Sequence, residues 1–115
     1  MENINKIELA GTVGSARINS VGNRYVGRFS VATNYSYKAQ DGSHVIETTW
    51  HNVTIWQGKD NPDVSRIEKG SKIQVSGRLR SQKYVDADGV ERTSYEVLAY
   101  KFELINDPAP LQFQM

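Results

Sequence analysis

Short runs of β-branched and aromatic residues, each soon cut off by Gly, Asn or Asp, recur along the whole chain. Such runs bury apolar side chains by alternation, so the chain must stack or close its strands around a core rather than pack helices. The first run, 7–13, puts Ile7, Leu9 and Val13 at alternate positions, and Asn19, Gly22 and Asn23 mark a turn-rich stretch after it. A second run spans 24–33, with Phe29 and Val31 on one side and Arg28 and Ser30 on the other. Residues 34–43 read as a long polar loop with Asp41-Gly42 as its hairpin turn. The third run is 48–56.

Asn61 and Pro62 then offer a helix start, as N-cap and first helical residue; Val64 and Ile67 supply a buried stripe and Gly70 a stop. The fourth run, 73–80, sets Ile73, Val75 and Leu79 on one side. Asp86 to Gly89 is a second hairpin turn, and the fifth run covers 92–104. Three strands, a short helix and two strands are the layout of an all-β OB-fold, a five-stranded Greek-key barrel. An SH3-like barrel has no natural place for a helix between its third and fourth strands. We expect one domain over residues 1–105 and a loose tail over 106–115, where Pro108 and Pro110 break structure.

The 115 residues suit a single domain able to bury its own core. With no cysteine, disulfides and cysteine-based metal sites are excluded. The N-terminus lacks the basic start and apolar stretch of a signal peptide and no apolar run reaches membrane-spanning length, which predicts a soluble cytoplasmic protein without a membrane partner. The net charge of +1 is small, so any anion binding depends on where the 14 Lys and Arg are gathered.

The third run is the most informative. Alternation places Trp50, Asn52, Thr54 and Trp56 on one face and His51, Val53 and Ile55 on the other. Val and Ile are ordinary core residues, whereas Asn and Thr between two Trp would leave a core polar groups to satisfy. The Trp face is therefore the outer one, and large aromatics exposed there mark a binding surface. The alternative is that both rings pack beneath a loop or at a subunit contact. Arg78 and Arg80 lie opposite Val75 and Leu79, Lys83 and Tyr84 follow, Arg92 returns across the hairpin, and the other hairpin carries Tyr35, Tyr37 and Lys38. Aromatics interleaved with cations suit single-stranded nucleic acid, whose bases stack on rings and whose phosphates attract Lys and Arg. Any one of these Arg taken alone is more simply a solvated strand residue; the case rests on the cluster.

The sequences Ala32-Thr33-Asn34-Tyr35-Ser36-Tyr37, Thr49-Trp50-His51-Asn52-Val53 and Lys69-Gly70-Ser71, followed by a strand ending Gly77-Arg78-Leu79-Arg80, strongly resemble the bacterial single-stranded DNA-binding protein family. So do Lys83-Tyr84 and the Asp88-Gly89 to Arg92 hairpin, and the resemblance runs from about Asn5 to Leu104. It implies base-stacking roles for Tyr37, Trp50, Trp56 and Tyr84, with Tyr in place of Trp at the first and last. It also implies sequence-independent binding of single-stranded DNA in replication, recombination or repair, and a homotetramer, a dimer being the alternative. His51 matches a family position near subunit contacts and reads as structural.

Two departures stand out. The family usually ends in an acidic tip that recruits replication and repair proteins, and no acidic cluster closes this sequence, which puts such partners in doubt. Bulky Arg24-Tyr25 enter the second strand where the family prefers small residues, which reshapes either the binding path or a subunit contact. No enzyme, metal site or cofactor is expected. Asp86-Ala87-Asp88-Gly89 lacks the later ligands of a calcium loop, and His44 and His51 lack metal-ligand spacing. The glycosylation matches at Asn34 and Asn52 are chance without a secretion signal, and no catalytic triad spacing occurs. The rivals are an OB-fold that prefers RNA or assists a primosome-type complex, and an interaction domain whose aromatic face builds an oligomer.

Overall fold

In the computed structural model, which describes residues 2–59 and 61–105, the five β-patterned runs become five long strands. They are β1 (Ile7–Val21), β2 (Arg24–Lys38), β3 (His44–Trp56), β4 (Lys72–Val85) and β5 (Glu91–Leu104). They close into a barrel in the order β1-β2-β3-β5-β4, with β4 returning to pair with β1. Every pairing is antiparallel except the short parallel seam between β3 and β5, which spans Val53↔Val97 to Ile55↔Ala99. The expected all-β, five-stranded OB-fold is therefore the observed architecture. The expected tail, 106–115, lies outside the described residues.

β-Branched side chains from every strand fill the barrel: Val13, Val31, Val53, Ile55, Ile73, Val75 and Val97, completed by Phe29 and Phe102. Branching at Cβ suits the pleated wall, where such side chains pack against neighbours on the same face. Val64 and Ile67, the pair proposed as a helical stripe, plug the barrel at 0% and 2% exposure. The helix itself shrinks to a three-residue 3-10 turn, Val64–Arg66, capped by Asp63 rather than Asn61. Two apolar anchors are too few to offset helix nucleation. The connection is held instead by Gln57, whose Oε1 accepts from Val64 N at 2.8 Å and whose Nε2 donates to Pro62 O at 3.1 Å.

Three further expectations are corrected. Residues 34–38 are strand, not loop: β2 and β3 stay paired as far as Lys38↔His44, leaving only 39–43 as the turn. Here the Tyr-Ser-Tyr alternation has no core to face, so it carries no apolar signal. β1 likewise runs past Val13 to a two-residue turn at Gly22-Asn23. Leu79 is 45% exposed, because β1 covers β4 only from Lys72 to Gly77. Beyond that point two double-stranded ribbons, β2–β3 and β4–β5, leave the barrel side by side.

Candidate functional site

The register fixes which side chains share the outer surface. Thr54↔Leu98 and Leu98↔Arg78 carry the parity of β3 through β5 to β4. Trp50, Asn52, Thr54 and Trp56 therefore lie on one face with Arg28, Arg78, Arg80, Tyr84, Arg92 and Lys38. Lys83, Tyr35 and Tyr37 have the opposite parity and continue the side that is core within the barrel. Most sequence-predicted residues are thus brought to one surface, but the two hairpin tyrosines 35 and 37 and Lys83 are not.

Trp50 is an open aromatic of this face, 60% exposed, and Tyr84 is exposed as well. Its indole reaches across β2 onto β1, where a Cβ on Gly14 would fall 2.3 Å from Cζ3 and 2.7 Å from Cη2. Gly14 is the extra residue of a bulge between Val13 and Ser15. The missing side chain is what leaves room for the ring.

The middle of the face is closed rather than open. Thr54, expected to be exposed with the two Trp, is buried at 4%, and its Oγ1 donates to Glu96 Oε2 at 2.8 Å. Glu96 Oε1 accepts from Arg80 Nε at 2.8 Å, so Arg80 is held in an ion pair rather than left free for phosphate. Burial raises the Glu96 pKa, but hydrogen bonds from Arg80 and Thr54 and the charges of Arg80 and Arg28 outweigh it and hold the carboxyl below its ordinary value. Arg92 is engaged in the same manner by Asp86, which also caps its own turn through Asp88 N at 2.9 Å and Val90 N at 3.0 Å. Arg92 first, then the Val90 N–H, lowers the Asp86 pKa.

At the far end, the Arg24 guanidinium lies 5.0 Å from the ring centroid of Trp56, which is only partly exposed. The Arg24 departure thus acts on the face of the second Trp. Together with Arg78, Leu98 and Tyr100 they line a groove of about 380 Å³. A second, smaller groove of about 130 Å³ opens where the two ribbons fork, between Trp50, Asn52, Leu79 and Tyr95. Tyr95 is 60% exposed and Tyr100 is 63% exposed. Neither was found from sequence, because each sits in a run whose other residues read as ordinary strand; alternation from inward Val97 and Ala99 is the signal that puts Tyr100 outward. On the β2–β3 ribbon, Tyr35 and Tyr37 pair with ring centroids 5.9 Å apart and planes tilted by 32°. His51, on the inward parity, bonds Thr33 Oγ1 through Nε2 at 2.9 Å.

A model of the single-strand binding protein family matches residues 4–105, the whole barrel with both ribbons. The chain belongs to the single-strand binding protein family. Among relatives of this family member, a single-stranded DNA-binding protein of Neisseria meningitidis is 32% identical over 104 residues, covering 89% of this chain and 60% of the relative. The mitochondrial single-stranded DNA-binding protein of Danio rerio is 31% identical over 107 residues, covering 85% of this chain and 73% of its own length. The chain spans about 60% of the length of the Neisseria and Xanthomonas relatives. The same fold occurs in the Plasmodium falciparum SSB solved with ssDNA, at TM-score 0.76 and 23% identity, covering 92% of this chain and 98% of that one. Within this family barrel, Trp50, Tyr84 and the Tyr100 side of the Trp56 groove are accessible aromatic surface of the outer face, and Tyr95 borders the fork from the opposite parity.

Proposed function

We propose that the chain binds single-stranded DNA without sequence preference and coats it during replication, recombination or repair. The observation that carries this reading is an indole, Trp50, held open to solvent on the outer face of a single-strand binding family barrel. Bases stack on Trp50 and Trp56, with Tyr84 and the ribbon tyrosines Tyr35 and Tyr37 extending the path, and Asn52 lies beside Trp50. Arg78, Lys38 and Lys83 have no acidic partner among the described residues and supply the phosphate contacts. Arg80 and Arg92 contribute once a phosphate competes with Glu96 and Asp86. Stacking tolerates every base, so the surface discriminates single strand from duplex rather than one sequence from another.

The chain acts as a binder without catalysis, in the cytoplasm, and self-associates as a homotetramer, the dimer being the alternative. Among the described residues no helix is long and apolar enough to cross a membrane. Titration with oligo-dT tests the main reading. Trp emission should be quenched and affinity should fall with salt, since each neutralised phosphate releases counterions. Absence of quenching at low salt overturns it. Competition between dT and rU oligomers of equal length decides between DNA and RNA. Sedimentation of the free chain decides the oligomer, and loss of the oligomer without loss of dT binding in Trp50→Ala would assign that ring to a subunit contact.

A further inference from the structure

We propose that Tyr100 and Arg24, which the family pattern does not supply, extend the stacking position at Trp56 and the cation Arg78 into a nucleotide station that takes one base and its phosphate at the end of the outer face away from the ribbons. The inference rests on the reading of the chain as a single-strand binder. Three features converge on this groove.

The first is a bulge. Ser76 pairs with Lys101 but Gly77 pairs with Ala99, so Tyr100 is an extra residue on β5. Tyr100 follows inward-facing Ala99 on the outer side, and the extra residue keeps Lys101, opposite Ser76, on that side as well, so that Phe102 returns to the core and Tyr100 stands out of the regular ladder. Two groups hold it in place. A Cβ on Gly77 would fall 2.3 Å from Leu98 O, so the glycine admits the close approach of the bulged strand. Asn61 clamps the bulge with both ends of its amide, Nδ2 donating to Tyr100 O at 3.1 Å and Oδ1 accepting from Phe102 N at 3.2 Å. The residue expected to cap a helix instead fixes the backbone that aims Tyr100.

The second is the guanidinium of Arg24, placed 5.0 Å from the Trp56 centroid by the hairpin that begins β2. Planar guanidinium suits both ring stacking and bidentate phosphate contact. The third is charge. Arg24 and Arg78 have no acidic partner among the described residues, whereas Arg80 and Arg92 each hold a carboxylate. Two uncompensated cations beside two aromatic rings, around a groove of about 380 Å³, match a base with its phosphate. Arg24 covers one side of Trp56, so the base enters from the Tyr100 side and its phosphate lies between Arg24 and Arg78.

The sequence holds two tryptophans, so in Trp50→Phe the emission of Trp56 reports on this station alone. Oligo-dT should quench it. Tyr100→Ala should weaken dT binding roughly 5- to 150-fold, the equivalent of one lost stack. Arg24→Gln and Arg78→Gln should each lower the salt slope of binding by about 0.7, as expected for one phosphate contact on a single strand. Arg24→Lys should restore the slope without restoring full affinity. All four positions are at the surface or partly exposed, and thermal melting confirms that each variant is folded. Quenching in the wild type without quenching of Trp56 in Trp50→Phe overturns the station and leaves single-strand binding intact, as does unchanged dT affinity in Tyr100→Ala. No dT binding by the wild type would remove the underlying reading itself.

Discussion

Trp50 owes its position to a residue with no side chain. Its indole lies where the Cβ of Gly14 would otherwise be, and the ring, rather than the backbone, is the mobile partner of that contact. Trp50→Ala should cost roughly 1–3 kcal/mol of dT binding while the melting temperature stays put, because the ring is largely exposed. Gly14→Ala should weaken dT binding in the same sense by pushing the ring aside, with a shift in Trp emission as the independent sign of its displacement. Glu96 gives a second prediction. Its folded-state pKa lies below the ordinary value of 4.5, so between those two values the folded chain carries fewer protons than the unfolded one. The contribution of Glu96 is therefore complete above that ordinary value and is lost as pH falls through the folded-state value. Glu96→Gln should flatten the acid limb of a stability–pH curve measured by urea unfolding. Alternation in the third run identified Trp50 as outward from sequence alone. It could not reveal that Thr54 on the same face is covered, since the lid is Glu96, a residue 42 positions away.

At the scale of elements, strand identity was legible and strand length was not. The core segments announce themselves by Val and Ile at every second place, but residues 34–38 and 81–85 leave the barrel and face solvent on both sides, where polar residues look like loop. Turn chemistry was legible where one residue carries it: Asp41 Oδ1 accepts from Ser43 N at 2.9 Å, and Asp86 organises its turn likewise. Asn61 was misread because its partners are backbone groups of a distant strand, a pairing that local spacing does not encode. Asn61→Ala leaves Phe102 N–H without its acceptor, which should cost about 1–3 kcal/mol of unfolding free energy in a urea titration. It should also reduce the quenching of Trp56 by dT, since the bulge that aims Tyr100 is then unclamped.

For the molecule as a whole, the order of strands and the family were both legible, because barrel closure and a ligand face constrain many positions at once. The pairing of cations was not. Of the Lys and Arg gathered from sequence as phosphate contacts, Arg80 and Arg92 have carboxylate partners, and Arg24, set aside as an anomaly, lies on an aromatic ring. A net charge of +1 thus conceals an outer surface whose ends are cationic and whose centre is neutralised. The barrel wall is equally uneven. The two ribbons are zipped along their length, whereas β3 and β5 meet only from Val53↔Val97 to Ile55↔Ala99. That seam is a latch: if any part of the wall opens ahead of global unfolding, it should be here, and those amides of 53–55 and 97–99 that donate across the seam should exchange with deuterium sooner than those midway along β2 and β4. A strand of DNA laid from Trp50 to Trp56 crosses the latch, so binding should slow exchange there most, which makes the weakest line in the wall a gauge of occupancy.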